Sequence, residues 1–159
     1  MRQNDLPSMI DIAQQRNQYF SIFEHYYQKR QEMNKETNSL NWFEIPALDI
    51  HKSKSFYETI FKTEMDLSKN EDTEMVFFPW NPGSGKANGC VVQSPNHTPS
   101  ASGSIIYLNA DPSLTLIVDR VEKAGGKVMV PHMNIGEHGH IALILDTEGN
   151  QVGLHANAE

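Results

Sequence analysis

The sequence predicts an α+β chain in which an N-terminal amphipathic helix is followed by two βαβββ modules. Three observations carry that prediction. The opening segment has helical periodicity and no glycine, the punctuation changes after residue 40 to short apolar runs broken by turn residues, and one strand, one helix and three strands then recur at a spacing of about sixty residues.

The opening helix is read from Met9, Ile12, Ala13, Tyr19, Phe20, Phe23, Tyr26 and Tyr27, which recur at three- and four-residue steps after Pro7. Ser8 is its candidate N-cap and Asp11 the capping partner. Such an aromatic stripe is expected to be buried against its own domain or across a dimer, with an accessory interaction role for the helix as the alternative. Residues 34–39 are polar and read as a linker, so residues 1–39 form an extension and residues 40–159 the domain.

The first module covers about residues 40–94. Residues 41–48 read as a strand through Trp42, Phe43, Ile45 and Leu48, and Asp49 or Ser53 starts a helix that carries Phe56, Tyr57, Ile60 and Phe61. Strands are expected near residues 64–68, 74–80 and 88–93, with Pro82-Gly83-Ser84-Gly85 as the turn between the last two. A Pro- and Ser-rich loop over 94–102 leads into the second module, about 103–157. There residues 104–110 read as a strand, and Asp111-Pro112 opens a helix whose Leu114, Ile117, Val118 and Val121 recur at helical steps until Gly125-Gly126. Strands follow near 127–130, 140–145 and 151–155, the last two joined by the turn Asp146-Thr147-Glu148-Gly149-Asn150.

Composition narrows the function. Thirteen basic against twenty acidic residues give a formal net charge of −7, so no broad basic surface exists to attract a phosphate backbone and nucleic acid is not an expected partner. The lone Cys90 has no partner for an internal disulfide, no apolar run approaches the ~20 residues that cross a bilayer, and the polar start lacks a signal-peptide stretch. A cytoplasmic protein without a membrane partner is expected. Pro82-Gly83-Ser84-Gly85-Lys86 lacks the spacing and the strand-to-helix setting of a phosphate loop, and Cys90 reads as a small buried residue.

Four motifs carry a family resemblance over residues 40–156: the run Trp42-Phe43-Glu44-Ile45-Pro46-Ala47-Leu48-Asp49, then Ser55-Phe56-Tyr57-Glu58, Ala124-Gly125-Gly126-Lys127-Val128, and the Asp146 to Asn150 turn. In this order they resemble the glyoxalase, bleomycin-resistance and extradiol-dioxygenase family, the vicinal oxygen chelate superfamily. The resemblance implies that the two modules bend into an eight-stranded cup that holds the active site. It also implies one metal ligand on each of four strands in metal-dependent members, and these slots fall on Trp42, a residue near Gly89, Ile105 and Gly153. None of these supplies the imidazole nitrogen or carboxylate oxygen that zinc, nickel, iron or manganese requires there. No cofactor is therefore expected, a divalent metal being the less favoured alternative.

If Trp42, Ile105 and Gly153 face the cup, strand alternation turns Glu44, Tyr107 and His155 the same way. These three are the candidate catalytic residues. Trp42, Trp80 and Ile105, with Phe43 or Phe78, are expected as apolar wall. In a catalytic reading Glu44 or His155 is a general base and Tyr107 a donor to an oxygen that gains charge; in a structural reading the three satisfy one another as a buried network. Gly136-Glu137-His138-Gly139-His140 is placed like the family's closing loop, which makes His138 and His140 candidate ligand contacts on a lid, with metal on that pair as the alternative. The resulting expectation is a small-molecule-binding protein without the family metal site, acting on a small organic ligand as a homodimer. The alternatives are a metal-independent, glyoxalase-like lyase or isomerase using Glu44, Tyr107 and His155, and an accessory module acting through the N-terminal helix.

Overall fold

The computed structural model describes Met33 and residues 38–158, and it divides the chain into units 1–40 and 41–159. The expected N-terminal helix lies outside the described residues. The second unit contains β1 (Trp42–Pro46), α1 (Ile50–Phe61), β2 (Asp66–Asn70), β3 (Thr73–Phe77) and β4 (Asn88–Gln93), then β5 (Tyr107–Asn109), α2 (Leu114–Val121), β6 (Lys127–Asn134), β7 (His140–Leu145) and β8 (Gln151–Ala156). A short 3-10 turn, Gly136–His138, joins β6 to β7. The strand orders are β1-β4-β3-β2 and β5-β8-β7-β6, so the repeat inferred from the sequence is a repeat of topology. In each sheet the first and last strands of the module pair parallel and the remaining pairs are antiparallel.

The helices start where side chains satisfy their free amides. Asp49 caps α1 by accepting from Lys52 N, and Ser113 caps α2 by accepting from Leu116 N. The expected opening of the second helix at Asp111 shifts to Ser113 because the Asp111 carboxylate is engaged elsewhere, accepting from Asn157 N and Nδ2. β6 runs four residues beyond its expected end. Register shifts between Val128 and Val130 and between Val130 and Met133 interrupt its alternation around Pro131, which hides the second half of the strand from a period-two reading.

Both helices pack on one face of the sheets. Phe56, Tyr57 and Ile60 of α1 and Leu114, Ile117 and Val121 of α2 join Ile45, Val76, Val91, Ile144 and Leu154 in one buried cluster. The turn between β7 and β8 ties the modules together. Tyr57 Oη donates to Asp146 Oδ2 at 2.9 Å, Asn150 Nδ2 donates to Pro46 O at 2.7 Å, and Glu148 accepts from Leu48 N at 2.8 Å. Burial first, and then the Asp146 charge, push the Tyr57 phenol well above its ordinary pKa, so it remains a donor.

Candidate functional site on the open sheet faces

Alternation assigns the residues of β1 to opposite faces: Phe43 and Ile45 point to the helices, and Trp42, Glu44 and Pro46 to the open face. Across the sheet Glu44 is in register with Cys90, and Cys90 with Phe77. The Trp42 ring leans on Phe77 at 6.0 Å and its indole Nε1 donates to Glu44 Oε1 at 3.2 Å. The other carboxylate oxygen, Oε2, lies 2.8 Å from His97 Nε2, while His97 Nδ1 lies 2.7 Å from Ser94 Oγ. One neutral tautomer satisfies the whole chain: the Ser94 hydroxyl donates to Nδ1 and Nε2–H donates to Glu44.

His97 was not among the sequence candidates. It sits in an irregular loop, where periodicity assigns no face, and only its three-residue spacing from Ser94 hints at a local turn. Beneath the carboxylate, burial and then the Glu44 charge push the Cys90 thiol up to about 12, which keeps it protonated and unreactive as a nucleophile.

On the second sheet Tyr107 lies over Gly153, where an added Cβ would come within 2.4 Å of the Tyr107 ring. Asn109 stands opposite His155 on the same open face. His155 Nε2 donates to the His138 carbonyl at 2.7 Å, which fastens the 3-10 turn to β8. Near it, the Asp111 carboxyl is held below its ordinary pKa, first by the Asn157 backbone amide, then by the Asn157 side chain and the neighbouring His155.

The structure thus brings Trp42 and Glu44 into contact and sets Tyr107 and His155 on one face of neighbouring strands, while Glu44 takes His97 as its partner. Trp80 and Ile105 are exposed, the first beyond β3 and the second just before β5. Three expectations change. Phe43 and Phe78 pack together at 5.6 Å against Tyr57 on the helix side, so they form core and not cup wall. Gly89 faces the same way, since a Cβ there would strike Phe43, and the open-face residues of β4 are Asn88 and Cys90. His140 shares the helix-side face with Ala142 and Ile144 and contacts His132, with 2.6 Å between His132 Nε2 and His140 Nδ1; of the expected lid pair, only His138 stands in the exposed turn. For a family-type metal, Trp42, Ile105 and Gly153 carry no donor atom, and no three His, Cys, Asp or Glu side chains gather to hold an ion among the described residues.

A pocket of about 250 Å³ opens at the seam between the two modules, lined by Glu44, Pro46, Ser100, Ser102, Ser104 and Gln151 among others. The loop that walls it is pinned to β8: Ser100 N donates to Asn150 Oδ1 at 3.0 Å and Gln151 N donates to Ser100 O at 3.3 Å.

Residues 39–154 match the family described as the Glyoxalase/Bleomycin resistance protein/Dioxygenase superfamily. The chain belongs to that superfamily. Among curated proteins it is 29% identical over 116 residues to "Putative glyoxylase CFP32" of Mycobacterium bovis, covering 72% of this chain and 44% of that one. The chain therefore spans less than half the length of the curated relatives it matches. Among solved structures, glyoxalase I from Zea mays aligns with a TM-score of 0.57 at 14% identity, covering 76% of this chain and 45% of that one. A superfamily enzyme from Burkholderia phytofirmans aligns at 0.51 with 16% identity, covering 75% and 98%, and a hypothetical protein from S. aureus at 0.52 with 17% identity, covering 80% and 98%. At these identities the likeness establishes the two-module fold.

Proposed function

We propose that this superfamily member binds a small organic molecule at the Glu44 site and does so without the family's metal. The observation that carries the reading is the Glu44 carboxylate, held in place by Trp42 and His97 and lining the seam pocket. A charged acceptor with a fixed position, beside an aromatic surface and an open cavity, is the arrangement of a ligand-orienting group. Native mass spectrometry with elemental analysis of protein purified without a His tag tests this directly. A bound organic mass with well under one equivalent of zinc, nickel, iron or manganese is expected; a stoichiometric metal lost on mutating Glu44 or His155 overturns the metal-free reading.

A second reading has one specific observation in its favour. The Ser94, His97 and Glu44 chain holds the carboxylate in one position from which it can accept a proton from a ligand, which suits a metal-independent lyase or isomerase with Tyr107 and His155 on the second sheet. Turnover lost in both Glu44→Gln and Glu44→Ala, with ligand binding retained in Glu44→Gln, separates catalysis from binding.

A further inference from the structure

The composition of the seam pocket goes further and limits the charge of its ligand. Among the described residues that line the pocket Glu44 is the one ionisable group; the polar remainder comprises the hydroxyls of Thr98, Ser100, Ser102 and Ser104 and the amides of Asn150 and Gln151. Trp42 Nε1 and His97 Nε2 are the side-chain partners of the carboxylate, and no Lys or Arg pairs with it among the described residues. A ligand carboxylate or phosphate entering here would meet a like charge and, among the described lining residues, no Lys or Arg.

We propose that the seam pocket recognises a small polyhydroxylated amine, whose ammonium group pairs with Glu44 while its hydroxyls bond the serine and glutamine side chains. This rests on the proposed ligand-binding role of the same site. The volume of about 250 Å³ falls below the roughly 300–1,000 Å³ of pockets for drug-sized ligands, so the occupant is of monosaccharide size. The partly exposed Pro46 and Ile106 supply an apolar edge against which the carbon face of such a molecule rests.

Isothermal titration with three probes of one ring and different charge tests this: glucosamine, glucose and glucuronate. Glucosamine is expected to bind about fivefold tighter than glucose, in keeping with one partly exposed charge-assisted bond, and glucuronate no tighter than glucose. Glu44→Gln should reduce glucosamine to the affinity of glucose, and Gln151→Glu, which adds a second carboxylate to the lining, should strengthen the preference for glucosamine. Glucuronate binding as tightly as glucosamine, a preference that survives Glu44→Gln, or failure of all three probes to bind overturns the proposal. A broader thermal-shift library keeps the two claims apart. Glu44-dependent hits that are neutral or anionic reject only the charge class, whereas hits indifferent to Glu44 reject the site itself.

Discussion

Replacing Tyr57 by Phe deletes one hydroxyl from the contact that joins the modules. The Tyr57 Oη to Asp146 Oδ2 bond is buried, and such a bond to a carboxylate contributes roughly 1.5–3 kcal/mol. Asp146 keeps its other donors after the change: Glu148 N and Asn150 N on Oδ1, and Asn150 Nδ2 on Oδ2. The loss should therefore fall at about 2 kcal/mol, or roughly 6–10 °C in Tm for a domain of this size. Asp146→Ala removes the acceptor from all four donors at once and should cost about 4 kcal/mol or more, because the buried Tyr57 hydroxyl and Asn150 amide are then left without it. In the double variant the Tyr57 change should add little, since the hydroxyl has already lost its partner. Urea unfolding of the three variants measures these differences. A Tyr57→Phe protein within about 0.5 kcal/mol of the parent, or effects that simply add, would refute the coupling described.

Lys62 closes α1 in the left-handed conformation at φ 51° and ψ 50°, so Lys62→Gly should stabilise by about 1 kcal/mol while Lys62→Ala leaves stability nearly unchanged; equal Tm shifts would contradict this. The Cys90 thiol, with an ordinary value of 9.0, has its folded pKa raised to about 12. Its contribution to stability is therefore complete below pH 9 and is lost as pH climbs from 9 toward 12, by up to about 1.4 kcal/mol per unit. Cys90→Ala should flatten the decline between pH 9 and 10, below the range where Tyr57 adds its own loss, and urea titrations at pH 8, 9 and 10 that run parallel for the two proteins would contradict it.

The fold was largely legible because its determinants are local. Asp49, Gly125-Gly126 and the Asp146 to Asn150 turn punctuate the chain at the observed element ends, and β4 and β7 carry apolar runs with clear turn signals on either side. The site was legible only in part. Alternation along β1 placed Trp42 and Glu44 on one face, and the same rule placed Tyr107 and His155 together on β5 and β8. Motif placement, and not alternation, set the slot near Gly89, where one residue reverses the face, and it set His140 on a lid although that residue opens the expected strand 140–145 and its register turns it to the helix side. His97 was invisible because its role is set by where the 94–102 loop crosses the sheet, a property of tertiary packing that no spacing in the sequence encodes.

The most direct test of the central claim is a ligand and thermal-shift screen run in parallel on the wild-type protein, Glu44→Gln, Glu44→Ala and His155→Ala. If Glu44 orients the ligand, compounds that raise the wild-type Tm should lose that effect in Glu44→Ala and retain part of it in Glu44→Gln, which keeps the shape and some hydrogen-bonding capacity. His155→Ala should alter binding less, because the His155 ring is committed to the His138 carbonyl. Four proteins that bind the same compounds with the same affinity would show that the ligand site is not centred on Glu44.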